Sequence, residues 1–200
     1  MFTRRTIMPH VPVSGALDAE EFIASAEPSH RVKGLMFGRF QSALDDEWPE
    51  LCAELLDPPR RSYLPFRDYP LADYLRLLIR VARRHYPRTP LIESCRLVAR
   101  SDFDAFAASN LGRVTMALVS DPMRALRTSP RIFRQVATGE WTIEAAPLER
   151  GVRIEIVNQG LPWSVPLGTF EGLVQHYDAN SRIEVTQVAP KHFRYDVFLE

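Results

Sequence analysis

Residues 141–157 read WTIEAAPLERGVRIEIV, and they are the clearest indication of how the chain folds. Apolar residues occupy every second position on both sides of a short turn at residues 148–151. Alternation with period two predicts two half-buried strands, and the short turn between them predicts a β-hairpin. The last third of the chain therefore opens as antiparallel sheet.

The residues that follow the hairpin complete a ββαββ unit. Residues 166–177 predict one helix, and residues 178–181 predict a turn. Two more alternating segments then flank a turn at Pro190-Lys191; their apolar positions are Ile183, Val185, Val188, Phe193, Tyr195 and Val197. The simplest arrangement is one antiparallel sheet with a helix on one face, so the fold class is α+β.

The residues that precede the hairpin change to helical spacing. Apolar residues recur at intervals of three and four between residues 34 and 56, and Pro58 and Pro59 end that segment. Proline after a side-chain acceptor predicts four helix starts: Asp68-Tyr69-Pro70, Thr89-Pro90, Asp121-Pro122 and Ser129-Pro130. Ser101-Asp102-Phe103-Asp104 resembles a capping box and predicts a fifth start.

The helix at residues 70–86 is predicted to be the longest and to be buried on most sides. Its apolar positions are Leu71, Tyr74, Leu75, Leu77, Leu78, Ile79, Val81 and Ala82. The stripe predicted to face water comprises Asp73, Arg76, Arg80, Arg83 and Arg84. The four arginines form a candidate basic surface.

The chain divides into an arm and one domain. Residues 1–31 are predicted to form an N-terminal arm, in which Ile7, Val11 and Val13 are extended and residues 17–26 form a short helix. Residues 32–200 are predicted to form a single α+β domain, helical over 32–138 and ββαββ over 139–200.

The neutral net charge conceals an asymmetry. Residues 59–134 hold fifteen arginines against six acidic residues, a net charge of +9, and the remainder carries −9. A basic helical segment can meet phosphate, but it can equally pair with the acidic remainder or with an acidic protein partner. No helix-turn-helix, zinc-knuckle or aromatic RNA-binding motif favours nucleic acid, so Arg-mediated nucleic-acid binding stays an alternative.

Composition and targeting signals predict a cytoplasmic protein. Cys52 and Cys95 are too few for a disulfide framework and are predicted to be small buried hydrophobic residues. The first residues lack an apolar run of signal-peptide length, and no stretch has the length of a membrane span.

The sequence carries no signature of catalysis or metal binding. The nucleophile-elbow, zinc-protease, Walker and dinucleotide motifs are missing, so we expect no enzyme, no catalytic residue and no metal site. The five histidines have no helical pairing; His85 suits a helix C-terminus, and His176 is the best functional candidate among them. The acidic run at residues 45–47 is typical of a solvated face.

Several ordered motifs resemble an uncharacterised family of paralogous proteins about 200 residues long, found in myxobacteria. They are Gly34-Leu-Met-Phe37, Phe66-Arg-Asp-Tyr-Pro-Leu71 with Tyr74-Leu75, Tyr86-Pro87, Gly112-Arg113, Asp121-Pro122, Ser129-Pro-Arg131 and Gly168-Thr-Phe-Glu-Gly172. The resemblance covers residues 32–200. The arm lies outside it.

The same layout is similar, more distantly, to the haem nitric-oxide-binding sensor domains and to the V4R and TRAPP-subunit fold. The shared features are the Gly-Leu-x-Phe-like opening, a Pro-x-x-Phe element matched by Pro130-Arg-Ile-Phe133, and the ββαββ end. The axial histidine of the haem sensors has no counterpart in residues 117–124, and their Tyr-x-Ser-x-Arg clamp has none in residues 152–162. The resemblance therefore implies the fold and argues against haem, so we expect no cofactor.

These observations predict a non-enzymatic regulatory or scaffolding module. In this fold a space between the helical layer and the sheet can hold a ligand, and we expect Leu78, Phe103, Phe106 and Met116 to fill it or to bind a small apolar molecule there. By analogy with TRAPP relatives, we expect a homodimer that the arm could embrace. A cofactor-binding sensor is the other alternative.

Overall fold

The computed structural model describes residues 6–7, 18–44, 47–56, 59, 62–119 and 121–200. Helices are α1 Ala19–Ala24, α2 Gly38–Leu44, α3 Trp48–Leu55, α4 Leu71–His85, α5 Leu91–Ala108, α6 Asn110–Ala117, α7 Pro122–Val136 and α8 Ser164–His176. Strands are β1 Thr6–Ile7, β2 Arg31–Lys33, β3 Asp68–Pro70, β4 Ala137–Thr138, β5 Thr142–Leu148, β6 Gly151–Val157, β7 Ser181–Ala189 and β8 His192–Leu199. The fold is α+β, as the sequence predicts.

The main sheet has the strand order β1-β7-β8-β6-β5. All its neighbours are antiparallel except β1 and β7, which are parallel. Ile154 pairs with Ala145 on one side and with Tyr195 on the other, so one face of the sheet is apolar. This confirms the predicted ββαββ unit, in which α8 covers that apolar face.

A second, three-stranded sheet joins the two layers. β2 lies between β3 and β4, and Val32 pairs with both Tyr69 and Ala137. The predicted start at Asp68-Tyr69-Pro70 is therefore wrong in its detail: Asp68 belongs to β3 and pairs with Lys33 at 2.8 Å instead of capping α4. Pro70 is the N-cap residue and makes no side-chain cap.

Two other predicted helix starts lie inside helices. Ser101 is in the middle of α5, where its hydroxyl donates to the Val98 carbonyl, so α5 and not α4 is the longest helix described. Pro130 lies within α7. Proline has no N–H for the Leu126 carbonyl, and Ser129 Oγ donates to that carbonyl at 2.8 Å instead. Asp121 caps α7 as predicted, accepting from the Arg124 amide at 2.8 Å.

Helices α5 and α8 pack at very short range. A Cβ on Gly168 would lie 2.1 Å from the Arg96 carbonyl oxygen, and one on Gly172 would lie 2.6 Å from that of Arg100. Only glycine permits such an approach of two backbones. We call this contact the α5–α8 seam.

Two apolar clusters form the core, one among α2 to α5 and one between the sheet, α5, α7 and α8. All the predicted apolar positions of α4 are buried. Asp73 is buried as well, contrary to the prediction that it faces water, and Arg76 donates to it at 3.2 Å. Cys52 and Cys95 are buried and free, as predicted.

The N-terminal helix is shorter than the sequence suggests and packs onto the domain. Asp18 caps α1, and Phe22 and Ile23 contact the first core cluster. Ile7 lies in β1, whereas Val11 and Val13 lie outside the described residues. The division into arm and domain stays a prediction. None of the helices in the described ranges combines the length and the apolarity that a membrane span requires.

Candidate functional site

A cavity of about 120 Å³ lies between the helical layer and the sheet. Its walls come from α4, α5, α6, α7, α8 and the hairpin strands, and they are almost entirely apolar. Six aromatic side chains line it: Tyr74, Phe103, Phe106, Phe133, Trp141 and Phe170. The aliphatic part of the wall includes Ile143, Ile156, Leu161, Val165 and Leu173.

The structure brings three of the four predicted pocket residues together. Phe103, Phe106 and Met116 line the cavity. Leu78 does not, because it is fully buried in the first core cluster, and Tyr74, one turn earlier on α4, reaches the wall instead. Whether these residues bind a ligand stays a prediction.

One end of the cavity carries charge. Asp102 lines the wall and forms an ion pair with Arg39 of α2. Arg39 Nη2 also donates to the Tyr74 hydroxyl at 2.8 Å, and its guanidinium lies 4.4 Å from the centre of the Phe40 ring. The two charged side chains are only 13% and 14% exposed. Burial lowers the pKa of Arg39, because it disfavours the charged form.

The sequence pattern predicts Asp102 in a helix cap, and the contact of Asp102 with Arg39 was not predicted. A signal was available: Cys95, Val98, Ala99, Asp102 and Phe103 recur at the spacing of one α5 face. A charged residue at an apolar position of a helix period indicates a buried polar contact.

The candidate basic surface is partly paired within the chain. Arg76 contacts Asp73, and Arg84 Nη1 lies 2.6 Å from Glu47. Arg80 and Arg83 are exposed and form no ion pair with another described residue. Farther along the basic segment, Arg96 crosses to α8 and contacts Glu171 at 2.7 Å, which is the predicted pairing with the acidic remainder.

The other sequence candidates lie away from the cavity. His85 ends α4 and is exposed. His176 ends α8, is exposed, and has its ring 5.8 Å from that of Phe103. Burial raises the pKa of Cys52 to about 11 and that of Cys95 to about 12, so both thiols stay protonated at neutral pH. Among the described residues, no three His, Cys, Asp or Glu side chains group as metal ligands.

Comparison with known proteins gives a family and a fold. The profile of a family described as "Protein of unknown function (DUF2378)" matches residues 25–198. The chain belongs to this family. Comparison with curated protein sequences gave no match.

Two solved structures show which fold this DUF2378 chain has. An H-NOX protein from S. oneidensis in the Fe(II)NO ligation state is 15% identical, with a TM-score of 0.69 over 84% of this chain and 99% of that one. An Fe(II) unliganded H-NOX protein from K. algicida is 13% identical, with a TM-score of 0.62 over 84% of this chain and 96% of that one. At these identities the likeness establishes the H-NOX-like fold alone. The resemblance to V4R and TRAPP proteins stays a prediction.

The cavity of the DUF2378 chain does not fit haem. Asp102 is the only ionisable side chain apart from Tyr74 on the described wall, and no described histidine lines it. Haem carboxylates would meet the Asp102 carboxylate on the wall, and its partner Arg39 does not line the cavity. A volume of about 120 Å³ is also below the roughly 300 Å³ at which sites for larger cofactors begin.

Proposed function

We propose that this DUF2378 chain is a non-enzymatic regulatory module that binds a small apolar ligand in the cavity between its helical layer and its sheet. The observation that carries the proposal is the cavity itself, with a volume of about 120 Å³ and a mainly aromatic and aliphatic wall. The S. oneidensis protein with this fold is a complex with a small ligand, since it is in the Fe(II)NO ligation state.

The size of the cavity sets the size of the ligand. An apolar cavity of roughly 150 Å³ stays dry and binds benzene or xenon. The cavity of this chain is slightly smaller, so it suits one small ring or a short branched chain. A ligand gains free energy there because the wall offers dispersion contacts that an empty cavity lacks.

The position of the cavity supports a regulatory role. Phe133 of α7 packs against both core clusters and also lines the cavity. A ligand that contacts both layers favours the conformation in which the layers are best spaced around it. Occupancy therefore changes the surface that the helices present to a partner.

Titration with toluene tests the binding site. We expect isothermal titration calorimetry to detect binding to the wild-type chain, and Val165→Phe to weaken it at least tenfold because the ring fills the cavity. Val188→Phe is the matched control, since Val188 is 44% exposed on β7 and lies away from the cavity wall. The proposal is wrong if saturating toluene gives no signal with the wild type, or if the two variants bind toluene equally well.

We propose further that the module acts as a homodimer. Val114 of α6 and Leu118, the helical C-cap residue of α6, are four positions apart, so they share a face, and they are 62% and 70% exposed. Such neighbouring exposed apolar side chains are typical of a protein contact. Native mass spectrometry measures the subunit number; a monomer at all concentrations would contradict this part of the proposal.

A further inference from the structure

Four arginines of α7 stand in one row on the exposed side of the helix. Arg124, Arg127, Arg131 and Arg134 follow one another at intervals of three, four and three residues, so they share a face. All four are exposed, and none of them forms an ion pair with another described residue. The other side of α7 packs into the core, where Leu126 is fully buried. We call the four side chains the arginine row; it spans about 15 Å along the helix.

Helix α3 carries an acidic row with matching intervals. Glu47, which is the N-cap residue, Glu50 and Glu54 are exposed and follow one another at intervals of three and four residues. Glu47 also contacts Arg84 Nη1 at 2.6 Å, on the exposed surface. Glu50 and Glu54 form no ion pair with another described residue. We call these three side chains the glutamate row.

The two rows do not neutralise each other within one molecule. Helix α3 packs against the first core cluster and α7 against the second. No ion pair between described residues joins α3 to α7. One copy of the chain therefore presents two rows of opposite charge and of the same spacing on separate surfaces. Arginine suits such a contact, because its planar fork of donors matches a carboxylate.

We propose that the arginine row of one copy contacts the glutamate row of a second copy. In a two-fold dimer the contact forms twice, since each copy offers both rows. The intervals of the arginine row read the same from both ends, so the glutamate row matches it with the two helices parallel or antiparallel. This inference rests on the homodimer of the proposed function and names the charged surfaces that meet.

The two rows decide which surfaces meet more than how tightly they bind. An exposed ion pair adds little affinity, because solvent screens it. Complementary charge excludes wrong orientations, and like charges that face each other are strongly unfavourable. The exposed Val114 and Leu118 supply apolar area to the dimer. Reversing the charge of a row is therefore expected to weaken the dimer far more than neutralising it.

Charge reversal tests the contact. Arg127→Glu with Arg131→Glu sets two acidic rows against each other, and Glu50→Arg with Glu54→Arg sets two basic rows against each other. In low salt we expect each variant alone to have a dimer dissociation constant about a hundredfold or more above that of the wild type, measured by analytical ultracentrifugation. An equimolar mixture of the two variants should restore a dimer, because each reversed row then meets its complement at both contacts. Added salt should weaken the wild-type dimer and strengthen the dimers of the reversed variants.

Arg88→Glu with Arg150→Glu is the matched control. It changes the net charge by the same amount as Arg127→Glu with Arg131→Glu. Arg88 and Arg150 are exposed, lie in turns before α5 and β6, and form no ion pair with another described residue. We expect the dissociation constant of this control to stay within about threefold of the wild type in the same buffer. A loss as large as that of the row variants would mean that net charge alone weakens the dimer, and it would overturn the inference.

The outcomes separate this inference from the proposed function. A dimer that survives both reversals, or two reversed variants that do not associate when mixed, overturns the inference and leaves the apolar face of α6 as the dimer contact. A wild-type chain that stays monomeric contradicts the proposed homodimer and this inference together. If the wild type binds a short DNA duplex, and Arg127→Glu with Arg131→Glu abolishes that binding without changing the subunit number, the arginine row meets phosphate and the inference is wrong. Toluene binding should be the same in all these variants, since neither row lines the cavity.

Discussion

Helix α8 contacts the rest of the molecule in two different ways. On the side of the α5–α8 seam, Gly168 brings the α8 backbone against α5, so close that a Cβ would lie 2.1 Å from the Arg96 oxygen. Thr169 and Leu173 directly follow Gly168 and Gly172 in the sequence, and they line a cavity of about 120 Å³. The same pair of helices therefore holds a very close backbone contact and much of the wall of the cavity.

Polar groups are also hydrogen-bonded differently at the seam and on the cavity side of α8. At the seam, Arg96 pairs with Glu171 at 2.7 Å, and Arg100 donates to Gln175 at 2.7 and 2.9 Å. On the cavity side, neither ring nitrogen of the buried His30 makes a hydrogen bond with the described residues. A rigid, satisfied seam keeps the helices at a fixed spacing, and the cavity beside it stays open.

The strongest test of this comparison is Gly168→Ala. Its Cβ would meet backbone and not a movable side chain, so α5 and α8 must separate. We expect the free energy of unfolding to fall by about 3 kcal/mol or more, as for severe overpacking. Urea denaturation measures the change.

Gly38→Ala is the matched control for the seam. A Cβ at Gly38 meets no atom within 4 Å. We expect no loss of stability, and up to about 1 kcal/mol of gain, because alanine restricts the unfolded chain. Equal losses for the two variants would mean that the seam has no special packing.

The next largest effect is expected for Tyr195→Phe. The Tyr195 hydroxyl is fully buried and lies 3.0 Å from both Gln159 Oε1 and the Trp163 carbonyl oxygen, so it fixes the start of α8 to the sheet. Burial raises the pKa of Tyr195, which keeps this donor protonated. Removing it should cost about 1–3 kcal/mol, measured by thermal or urea unfolding.

Tyr177→Phe sharpens this prediction. Tyr177 makes a bond of the same length, 3.0 Å, to the Val119 carbonyl, but it is only partly buried, so water can replace its hydroxyl. We expect a cost below that of Tyr195→Phe. If Tyr177→Phe costs more, the bond of Tyr195 is not what holds α8 to the sheet.

The seam and the cavity also differ in how well the sequence predicts them. The strands of the ββαββ unit follow from period-two alternation and local turns, and they were predicted with near-correct limits. The helix starts at Ser101 and Ser129-Pro130 were wrong, because Ser hydroxyls that bond a preceding carbonyl suit a helix interior as well as a cap. The motif Gly168-Thr-Phe-Glu-Gly172 was visible, but its close approach to α5 depends on tertiary packing.

The cavity was predicted only in part, because tertiary packing also decides which residues line it. Phe103 and Phe106 stand on the apolar face of α5, which periodicity shows. Leu78 and Tyr74 share a face of α4, and only the packing of the layers decides which one reaches the cavity. The burial of Asp102 depends on its ion pair with Arg39, a residue 63 positions earlier, so no local sequence pattern contains the pair.

The cavity side should also respond to pH through His30. Its ring packs 4.7 Å from that of Trp141, a residue of the cavity wall, and burial lowers the pKa of His30 below its usual 6.5. Because His30 then binds a proton more tightly in the unfolded chain than in the folded one, its contribution to the free energy of unfolding is complete above pH 6.5. That contribution falls as the pH drops toward the lowered pKa. The slope cannot exceed about 1.4 kcal/mol per pH unit.

Urea unfolding between pH 8 and pH 5, repeated with His30→Leu, measures this contribution. We expect the free energy of unfolding of the variant to fall less between pH 8 and pH 5 than that of the wild type. Glu27, which lies 4.0 Å from His30, has its pKa lowered by its hydrogen bond to Lys191, so its own contribution is lost only below its usual value of 4.5 and outside this range. Identical slopes for the variant and the wild type would show that His30 is not the group that responds.

The smallest expected difference separates an ion pair of the seam from one on the sheet. Glu171 is 12% exposed and takes two contacts of 2.7 Å from Arg96, whereas Glu155 and its partner Arg194 are both 33% exposed. Glu171→Gln should cost about 1 kcal/mol, and Glu155→Gln below about 0.5 kcal/mol, because solvent screens the exposed pair. Added salt should remove the effect of Glu155→Gln first, since a Debye length near 3 Å at 1 M salt leaves little attraction between exposed charges. Equal costs in low salt, measured by urea unfolding, would mean that Arg96 and Glu171 add nothing to the seam beyond a surface pair, and that the glycines alone set the spacing that keeps the cavity open.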